Sequence, residues 1–362
     1  MENALREEPL VNEQGLLDQV VDGVSKIEEI AIDTEFVRES TYFPQLCLIQ
    51  IAGEQLIACV DCLAPLDLDA LFGALFRTEC TWVLHSARQD LEVLSNRSGS
   101  QPARLFDTQV AAALIGYPPQ VGLQELLART IGVQIAKGHA RTDWSRRPLD
   151  DAALRYAIDD VRYLLAAKQH LEQRLAQLGR SAWLEEDCGR LLEDAGAADL
   201  ATIWRRLKGV SKLDATQQRV ALALLEWRES RAKRLNRPRR WIISDELVTR
   251  LAQRMPDSFQ ALRSVELPKR LATKSGDEIL RVIRETDHAR LDAQLAASQP
   301  PAADRKLMKA LQLKVKERAE ALGLYPEVLA TRRELAAIAA GETPPLLARG
   351  WRAEQLKDAL GL

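Results

Sequence analysis

Short apolar runs alternate with amphipathic segments along the first 120 residues of the chain. The runs at 27–36, 46–52, 56–60 and 82–85 are rich in Ile, Leu and Val, and their lengths are typical of β-strands. Gly53-Glu54, between the second and third runs, predicts a hairpin turn, so we expect three antiparallel strands in succession. Leu105-Phe106 predicts one more short strand.

Helical periodicity occupies most of the remaining sequence. Segments 108–115 and 123–131 are predicted as helices, and segment 150–178 repeats apolar residues every three or four positions, which predicts a single long helix. These elements predict an α/β domain with a mixed sheet over about residues 10–180. Strand patterns disappear after residue 190, and residues 202–289 and 304–362 predict two small all-α units, joined by a linker that contains Pro300-Pro301.

Composition restricts the class of protein. The chain has 362 residues, of which 46% are hydrophobic and 28% charged, as expected of a soluble protein with two or three domains. No apolar run reaches the length of a membrane span, and the N-terminus lacks a signal-peptide pattern. Five scattered cysteines fit reduced thiols, and the lone pair Cys59 and Cys62 lacks further zinc ligands nearby. We therefore expect a cytoplasmic protein without a membrane partner.

Charge is divided unequally between the two halves of the chain. Residues 1–200 contain 18 Lys and Arg against 32 Asp and Glu, whereas residues 201–362 contain 32 against 20. The basic half is suited to holding a polyanion while the acidic half houses a metal and the chemistry. The alternative is that both halves are simply solvated, or that they attract each other.

Two acids mark the first predicted strand. Asp33 and Glu35 follow the apolar run that ends at Ile32, and residues two apart on a strand project to the same face. A buried pair of carboxylates needs compensating cations, and a divalent metal at such a pair suggests phosphate chemistry. The alternative is a pair of solvated acids at a strand end.

Three further residues extend this set. Asp90 opens the helix that follows a predicted strand, where an acid is also a common partner of the helix dipole. Tyr156 and Asp160 lie four residues apart and share one helix face, from which the neighbouring Asp159 is rotated by about 100°. The cationic loop at 141–149 could hold phosphates, or could fasten the helix start through Asp143 and Arg146.

The order Asp-x-Glu, Asp, Tyr-x-x-x-Asp resembles the tyrosine branch of the DEDD 3′→5′ exonucleases, and within it the ribonuclease D family. The resemblance is carried by DTEFVR at 33–38, YFPQLCLIQ at 42–50, LHSARQDLE at 84–92, TDWSRRPL at 142–149 and YAIDDV at 156–161. Arg88 and Gln89 depart from the family's commonest residues before Asp90. Residues 208–290 resemble an HRDC domain, a small helical module that usually assists nucleic-acid binding, and residues 304–362 resemble a second such unit more loosely.

The resemblance implies a ribonuclease H-like mixed sheet with flanking helices, followed by two small all-α domains. It implies an exonuclease domain at 1–185, a connector at 186–207, HRDC-like domains at 208–290 and 304–362, and a linker at 291–303. It further implies that two divalent ions, Mg²⁺ or Mn²⁺, are held by Asp33, Glu35, Asp90 and Asp160, while Tyr156 orients the attacking water. The expected activity is 3′→5′ removal of nucleoside 5′-monophosphates from RNA.

Substrate contacts are predicted from the resemblance for Gln45, from their positions near the acids for Phe36 and His85, and from the cationic stretches, of which the run at 231–241 is the densest. The candidates are Phe36, Gln45, His85, Arg146, Arg234, Arg239 and Arg240. The alternatives are core packing for Phe36, a structural role for His85 and a solvated helix face for the cationic run. Precursor tRNA is the implied substrate, and we expect a monomer without a protein partner. The alternatives are a DNA exonuclease with the same metal chemistry, a catalytically silent nucleic-acid-binding scaffold, and a structural protein whose acidic domain neutralises its basic one.

Overall fold

The computed structural model describes residues 10–136, 138, 142–194, 200–286 and 305–361. Its contacts group the chain into two compact units. The first unit comprises residues 1–37, 45–196 and 301–362, and the second comprises residues 38–44 and 197–300. The domain boundaries predicted from the sequence stay predictions, and the predicted linker at 291–303 lies outside the described residues.

The first unit is built on a five-stranded mixed sheet. The strands are β1 (Glu29–Val37), β2 (Gln45–Ala52), β3 (Ile57–Asp61), β4 (Thr81–Leu84) and β5 (Arg104–Asp107), in the order β3-β2-β1-β4-β5. The pairs β1–β2 and β2–β3 are antiparallel, and the pairs β1–β4 and β4–β5 are parallel. The predicted hairpin and the three consecutive antiparallel strands are confirmed, since Gly53 N donates to Leu56 O at 2.7 Å.

Strand β1 continues further than the apolar run that ends at Ile32. Asp33 and Glu35 therefore lie within the strand, as in the predicted strand at 27–36, and not after its last residue. The strand continues because both residues pair across the ladder, Asp33 with Gln50 and Glu35 with Leu48. The register then shifts between Glu35 and Phe36, where a β-bulge interrupts the pairing.

Eight helices of the described residues up to 194 surround the sheet. They are α1 (Gln14–Val24), α2 (Asp69–Leu75), α3 (Arg88–Ser98), α4 (Thr108–Leu114), α5 (Leu123–Thr130), α6 (Asp151–Arg162), α7 (Leu164–Gln177) and α8 (Ser181–Asp194). The single helix predicted at 150–178 was wrong, because Tyr163 (φ −109°, ψ 0°) ends α6 and a second helix begins at Leu164. The break lets α6 cover β1, β2 and β3 while α7 packs on β1, β4, α4 and α5.

The sheet is buried on both faces. Ile30, Ile32, Trp82 and Leu84 belong to a core shared with α1, α2 and α3. The opposite face packs on α4, α7 and α8 in one region and on α6 in another, where Leu48 meets the helix. The polar side chains of the β1–α6 region therefore lie at the edge of a hydrophobic core.

The last helices of the chain also belong to the first unit. They are α15 (Arg305–Leu322), α16 (Pro326–Leu329), α17 (Arg332–Ala339), α18 (Pro345–Ala348) and α19 (Trp351–Leu360). The indole rings of Trp183 and Trp351 stack with centroids 4.3 Å apart, and Arg352 pairs with the buried Asp187. Residues predicted as a separate helical unit thus share a core with α4, α7 and α8.

Outside the segment 38–44, helices are the only regular elements in the described residues of the second unit, as predicted. Its helices are α9 (Leu200–Arg206), α10 (Ala215–Leu235), α11 (Arg239–Ile242), α12 (Asp245–Arg254), α13 (Phe259–Arg263) and α14 (Lys269–Arg284), with a 3₁₀ turn at Val210–Lys212. Asp214 caps the long helix α10 through a capping box with Gln217. Among the described residues of the whole chain, no helix is both long enough and apolar enough to cross a membrane.

Candidate active site

Three carboxylates converge between strand β1 and helix α6. Asp33, Glu35 and Asp160 each offer a ligand oxygen, and these oxygens all lie within 4.8 Å of one another. Asp33 and Glu35 share one face because they are two residues apart on β1, and α6 packs directly on that strand. This placement joins residues that are more than 120 positions apart in the sequence.

The cluster is electrostatically strained without a cation. Burial raises the pKa of Asp33 well above its usual range, and the charges of Asp90, Asp160 and Glu35 raise it further. Burial, with the Asp160 and Asp90 charges, raises the pKa of Glu35 to about 8. Burial also raises the pKa of Asp160 to about 7. Oxygen ligands of this kind, held together against their mutual repulsion, fit hard divalent cations.

Asp90 lies outside this group of three, but its charge raises the pKa of both Asp33 and Glu35. It lies in the first turn of α3, and burial raises its pKa to about 6 while two hydrogen bonds from Thr34 act in the other direction. The Thr34 hydroxyl donates to Asp90 Oδ1 at 2.5 Å, and the Thr34 backbone N–H donates to the same oxygen at 3.1 Å. Thr34 therefore fixes the fourth acid, a role that the sequence analysis missed.

Tyr156 lies one helical turn before Asp160 and hydrogen-bonds its carboxylate. The Tyr156 ring is stacked near Trp144, with centroids 6.4 Å apart. Burial, followed by the charges of Asp160, Glu35 and Asp33, raises the pKa of the Tyr156 hydroxyl. The hydroxyl consequently stays protonated at neutral pH and can act as a hydrogen-bond donor.

The loop before α6 is fastened by Arg147. Its guanidinium donates to both Asp61 carboxylate oxygens at 2.6 and 2.7 Å, and to Trp144 O at 2.7 Å. The suggestion that Asp143 and Arg146 fasten the helix start was wrong, because Asp143 accepts hydrogen bonds from Ser145 within the loop and Asp150 caps α6 by accepting from Ala153 N. The bidentate geometry explains why an arginine performs this task.

Comparisons with known proteins find matches over most of the chain. Residues 10–176 match the family model described as 3′-5′ exonuclease, and residues 217–283 match the HRDC domain model. A ribonuclease D from Xanthomonas oryzae pv. oryzae is 38% identical over 330 residues, which cover 89% of each chain. The ribonuclease D of Acidiphilium cryptum is 38% identical over 347 residues, covering 92% of this chain and 87% of that protein.

The chain belongs to the ribonuclease D family. A solved structure of Escherichia coli RNase D, described as an exoribonuclease involved in structured RNA processing, is similar with a TM-score of 0.82. The two sequences are 27% identical, and the match covers 98% of this chain and 97% of that one. The predicted mixed-sheet fold with a helical C-terminal part is confirmed, and the chain is a 3′→5′ exoribonuclease of this family.

Within this ribonuclease D fold, the predicted substrate contacts of the first unit fall into different environments. Phe36 is half-buried and packs against the core, whereas Gln45 at the start of β2 and Arg146 in the loop are exposed. Arg88, the residue that departs from the family pattern, pairs with Asp194 at 3.6 Å on the surface.

His85 is held by the protein through both ring nitrogens. Nδ1 lies 2.9 Å from Thr108 Oγ1, and Nε2 lies 3.0 Å from Val121 O. Burial lowers the pKa of the imidazole. In the neutral ring Nε2 donates to Val121 O, and the single proton of the Thr108 hydroxyl is directed either to Nδ1 or to Leu84 O, which lies 3.0 Å away. This environment accounts for the histidine as a structural residue, and a substrate contact by His85 stays a prediction.

The cations of the second unit are not equivalent. Arg239 donates to both oxygens of Glu229 at 2.5 and 2.6 Å, and its guanidinium lies 4.8 Å from the centre of the Tyr42 ring. Arg234 and Arg240 are exposed. Arg239 therefore stabilises the second unit internally, whereas Arg234 and Arg240 face solvent.

A cationic pocket lies within the second unit. Its volume is about 620 Å³, and five arginines contribute to its wall together with three acids. The arginines are Arg38, Arg206, Arg228, Arg239 and Arg240, and the acids are Glu39, Asp245 and Glu246. Two of these arginines already pair with acids, Arg228 with Asp245 and Arg239 with Glu229.

Proposed function

We propose that this exoribonuclease removes 3′-terminal nucleotides from RNA by two-metal-ion hydrolysis at Asp33, Glu35, Asp90 and Asp160. The observation that carries the proposal is the convergence of Asp33, Glu35 and Asp160 within 4.8 Å. Asp90 adjoins this trio, since its charge raises the pKa of Asp33 more than the charge of Asp160 or of Glu35 does. The acids fit divalent cations, because the positive charge of bound cations offsets the repulsion between the ionised carboxylates.

Two bound Mg²⁺ or Mn²⁺ ions would supply an activated water and stabilise the leaving 3′ oxygen of the phosphodiester. The side chains of the protein orient the metal ligands and the attacking water. Thr34 holds Asp90 in one orientation through two hydrogen bonds. The hydroxyl of Tyr156, protonated and placed against Asp160, orients the water through a hydrogen bond and leaves the proton transfer to other groups.

Replacing Tyr156 with phenylalanine is expected to slow hydrolysis by about 100-fold or more, because a positioned hydrogen-bonding group is lost from the reacting water. RNA affinity should stay unchanged, because the ring and its stacking on Trp144 remain. Single-turnover kinetics and a binding titration measure the two quantities. Tyr163→Phe, at the break between α6 and α7, is the matched control and should retain the full rate. Equal losses of rate and affinity in Tyr156→Phe would instead assign the residue to substrate binding.

We further propose that the second unit binds RNA through the exposed arginines around its pocket, including Arg206 and Arg240. The supporting features are the excess of basic residues after residue 200, the exposure of Arg206 and Arg240 at the pocket, and the match to the HRDC domain model. The exposed Trp241 lies beside these cations, with the Arg237 guanidinium 5.7 Å from its ring centre. Aromatic rings interleaved with cations are suited to a single strand of RNA.

Arg240→Gln is expected to weaken RNA binding several-fold and to reduce the slope of log affinity against log salt by about one, since one phosphate contact is lost. Fluorescence anisotropy at several salt concentrations measures both values. The control is Arg250→Gln in the same unit, because Arg250 pairs with Glu266 at 2.9 Å away from the pocket lining. An unchanged salt slope in Arg240→Gln would contradict a phosphate contact.

The natural substrate that we propose is precursor tRNA with a 3′ extension, processed by a cytoplasmic monomer. The test compares a 3′-extended tRNA, a matched single-stranded RNA and a matched DNA under the same metal conditions. We expect both RNAs to be shortened and the DNA to be cut more slowly. Equal rates on DNA would favour the DNA exonuclease alternative, and binding without turnover would favour the scaffold alternative.

A further inference from the structure

Gln50 is a fully buried polar side chain without a hydrogen-bond partner. It lies in the middle of β2 with 0% of its surface exposed. Neither its amide nitrogen nor its amide oxygen has a partner among the described residues. No other described side chain leaves two buried polar atoms unpaired in this way. Such a group destabilises the fold, so its presence calls for an explanation other than stability.

The position of Gln50 places it beside the metal acids. It is the cross-strand partner of Asp33 on one side and of Cys59 on the other, so the three side chains share one face of the sheet. Directly opposed residues of an antiparallel pair have Cβ atoms about 5 Å apart. The Gln50 amide is therefore within reach of the Asp33 carboxylate across the ladder.

The surroundings of Gln50 are otherwise apolar. Its neighbours on the same face, Leu48 and Cys59, pack against Ala153 and Ala157 of α6, and all four are buried. The two alanines let the helix approach the sheet closely. A leucine or methionine at position 50 would suit these neighbours, so packing does not explain a glutamine. The acid cluster is the polar feature on this face that a buried amide donor can serve.

We propose that Gln50 is a positioning residue for Asp33: its amide N–H donates to a carboxylate oxygen of Asp33 when a divalent cation occupies the cluster. A ligating carboxylate has two oxygens, and an outer hydrogen bond to the oxygen away from the metal fixes its orientation. The inference rests on the proposed metal-binding function. It assigns to Gln50 the role on Asp33 that Thr34 performs on Asp90.

The test measures Mn²⁺ affinity by calorimetry and thermal stability without metal, on the full chain and in the absence of RNA. Gln50→Leu removes the amide at similar volume, and Gln50→Met provides a second variant with an unbranched side chain. We expect both variants to bind Mn²⁺ about 10- to 100-fold more weakly, the usual effect of losing an outer partner of a metal ligand. We also expect both to melt at a higher temperature without metal, since two unpaired polar atoms leave the core.

Cys59→Ala is the matched control, because it alters the other cross-strand neighbour of Gln50 without touching the amide. It should lower the melting temperature and leave Mn²⁺ affinity unchanged. The positioning role is overturned if the Gln50 variants bind Mn²⁺ as the wild type does, or if Cys59→Ala weakens binding equally. A wild-type chain that binds no Mn²⁺ would overturn the proposed function itself, so the two failures are distinguishable.

Discussion

Replacing Asp160 with asparagine is expected to lower the rate of RNA hydrolysis by more than about 100-fold, because losing a metal ligand removes several kcal/mol of transition-state stabilisation. The fold should survive, because the amide has nearly the same shape and one like charge leaves the cluster. We expect the metal-free variant to be at least as stable as the wild type in thermal unfolding. The hydrolysis rate at saturating RNA is the decisive measurement.

Asp159→Asn is the matched control for this prediction. Asp159 is the preceding residue on the same helix, pairs with Arg162 at 3.5 Å, and lies outside the carboxylate trio. Its variant should keep near wild-type activity. Activity of Asp160→Asn above about one per cent of wild type, or an equal loss in both variants, would contradict the role of Asp160 as a metal ligand.

Asp187→Asn is expected to lower the free energy of unfolding by roughly 3–5 kcal/mol, the cost of leaving a buried charge without its partner. Asp187 and Arg352 are both about one-tenth exposed, and Arg352 Nη2 donates to Asp187 Oδ2 at 2.8 Å. Asp187 also accepts a bond from the Trp351 indole at 3.2 Å. Urea unfolding of the full chain measures the loss.

A surface ion pair provides the comparison for Asp187. Arg129 and Glu125 are paired at 3.0 Å on α5, with both side chains about half exposed. Glu125→Gln should change the free energy of unfolding by less than about 1 kcal/mol, because solvent screens such pairs. A similarly small effect of Asp187→Asn would show that the last helices do not depend on this buried pair for their attachment to α8.

Local sequence patterns predicted the strands of the first unit and the shared faces of its site residues. The apolar runs located the strands, and the spacing of Asp33 and Glu35 correctly placed two carboxylates on one face. The four-residue spacing of Tyr156 and Asp160 correctly placed these groups on one side of α6, where they hydrogen-bond. These features are set by strand and helix periodicity, which the sequence displays directly.

Such local patterns do not predict contacts between residues that are far apart in the sequence. The bond from Thr34 to Asp90 joins residues 56 positions apart, and the pair of Arg147 with Asp61 joins residues 86 apart. The break at Tyr163 was missed because the apolar period continues through it while the two helices cover different strands. Nor does the sequence show that the helices after residue 304 complete the core of the first unit.

Product analysis on a 5′-labelled single-stranded RNA, with Mg²⁺, with Mn²⁺ and with excess chelator, tests the central claim most directly. The proposed metal cluster predicts a ladder that shortens by one nucleotide at a time from the 3′ end, release of nucleoside 5′-monophosphates, and no cleavage in chelator. Internal fragments, nucleoside 3′-monophosphates as products, or cleavage that persists in chelator would contradict hydrolysis at Asp33, Glu35, Asp90 and Asp160.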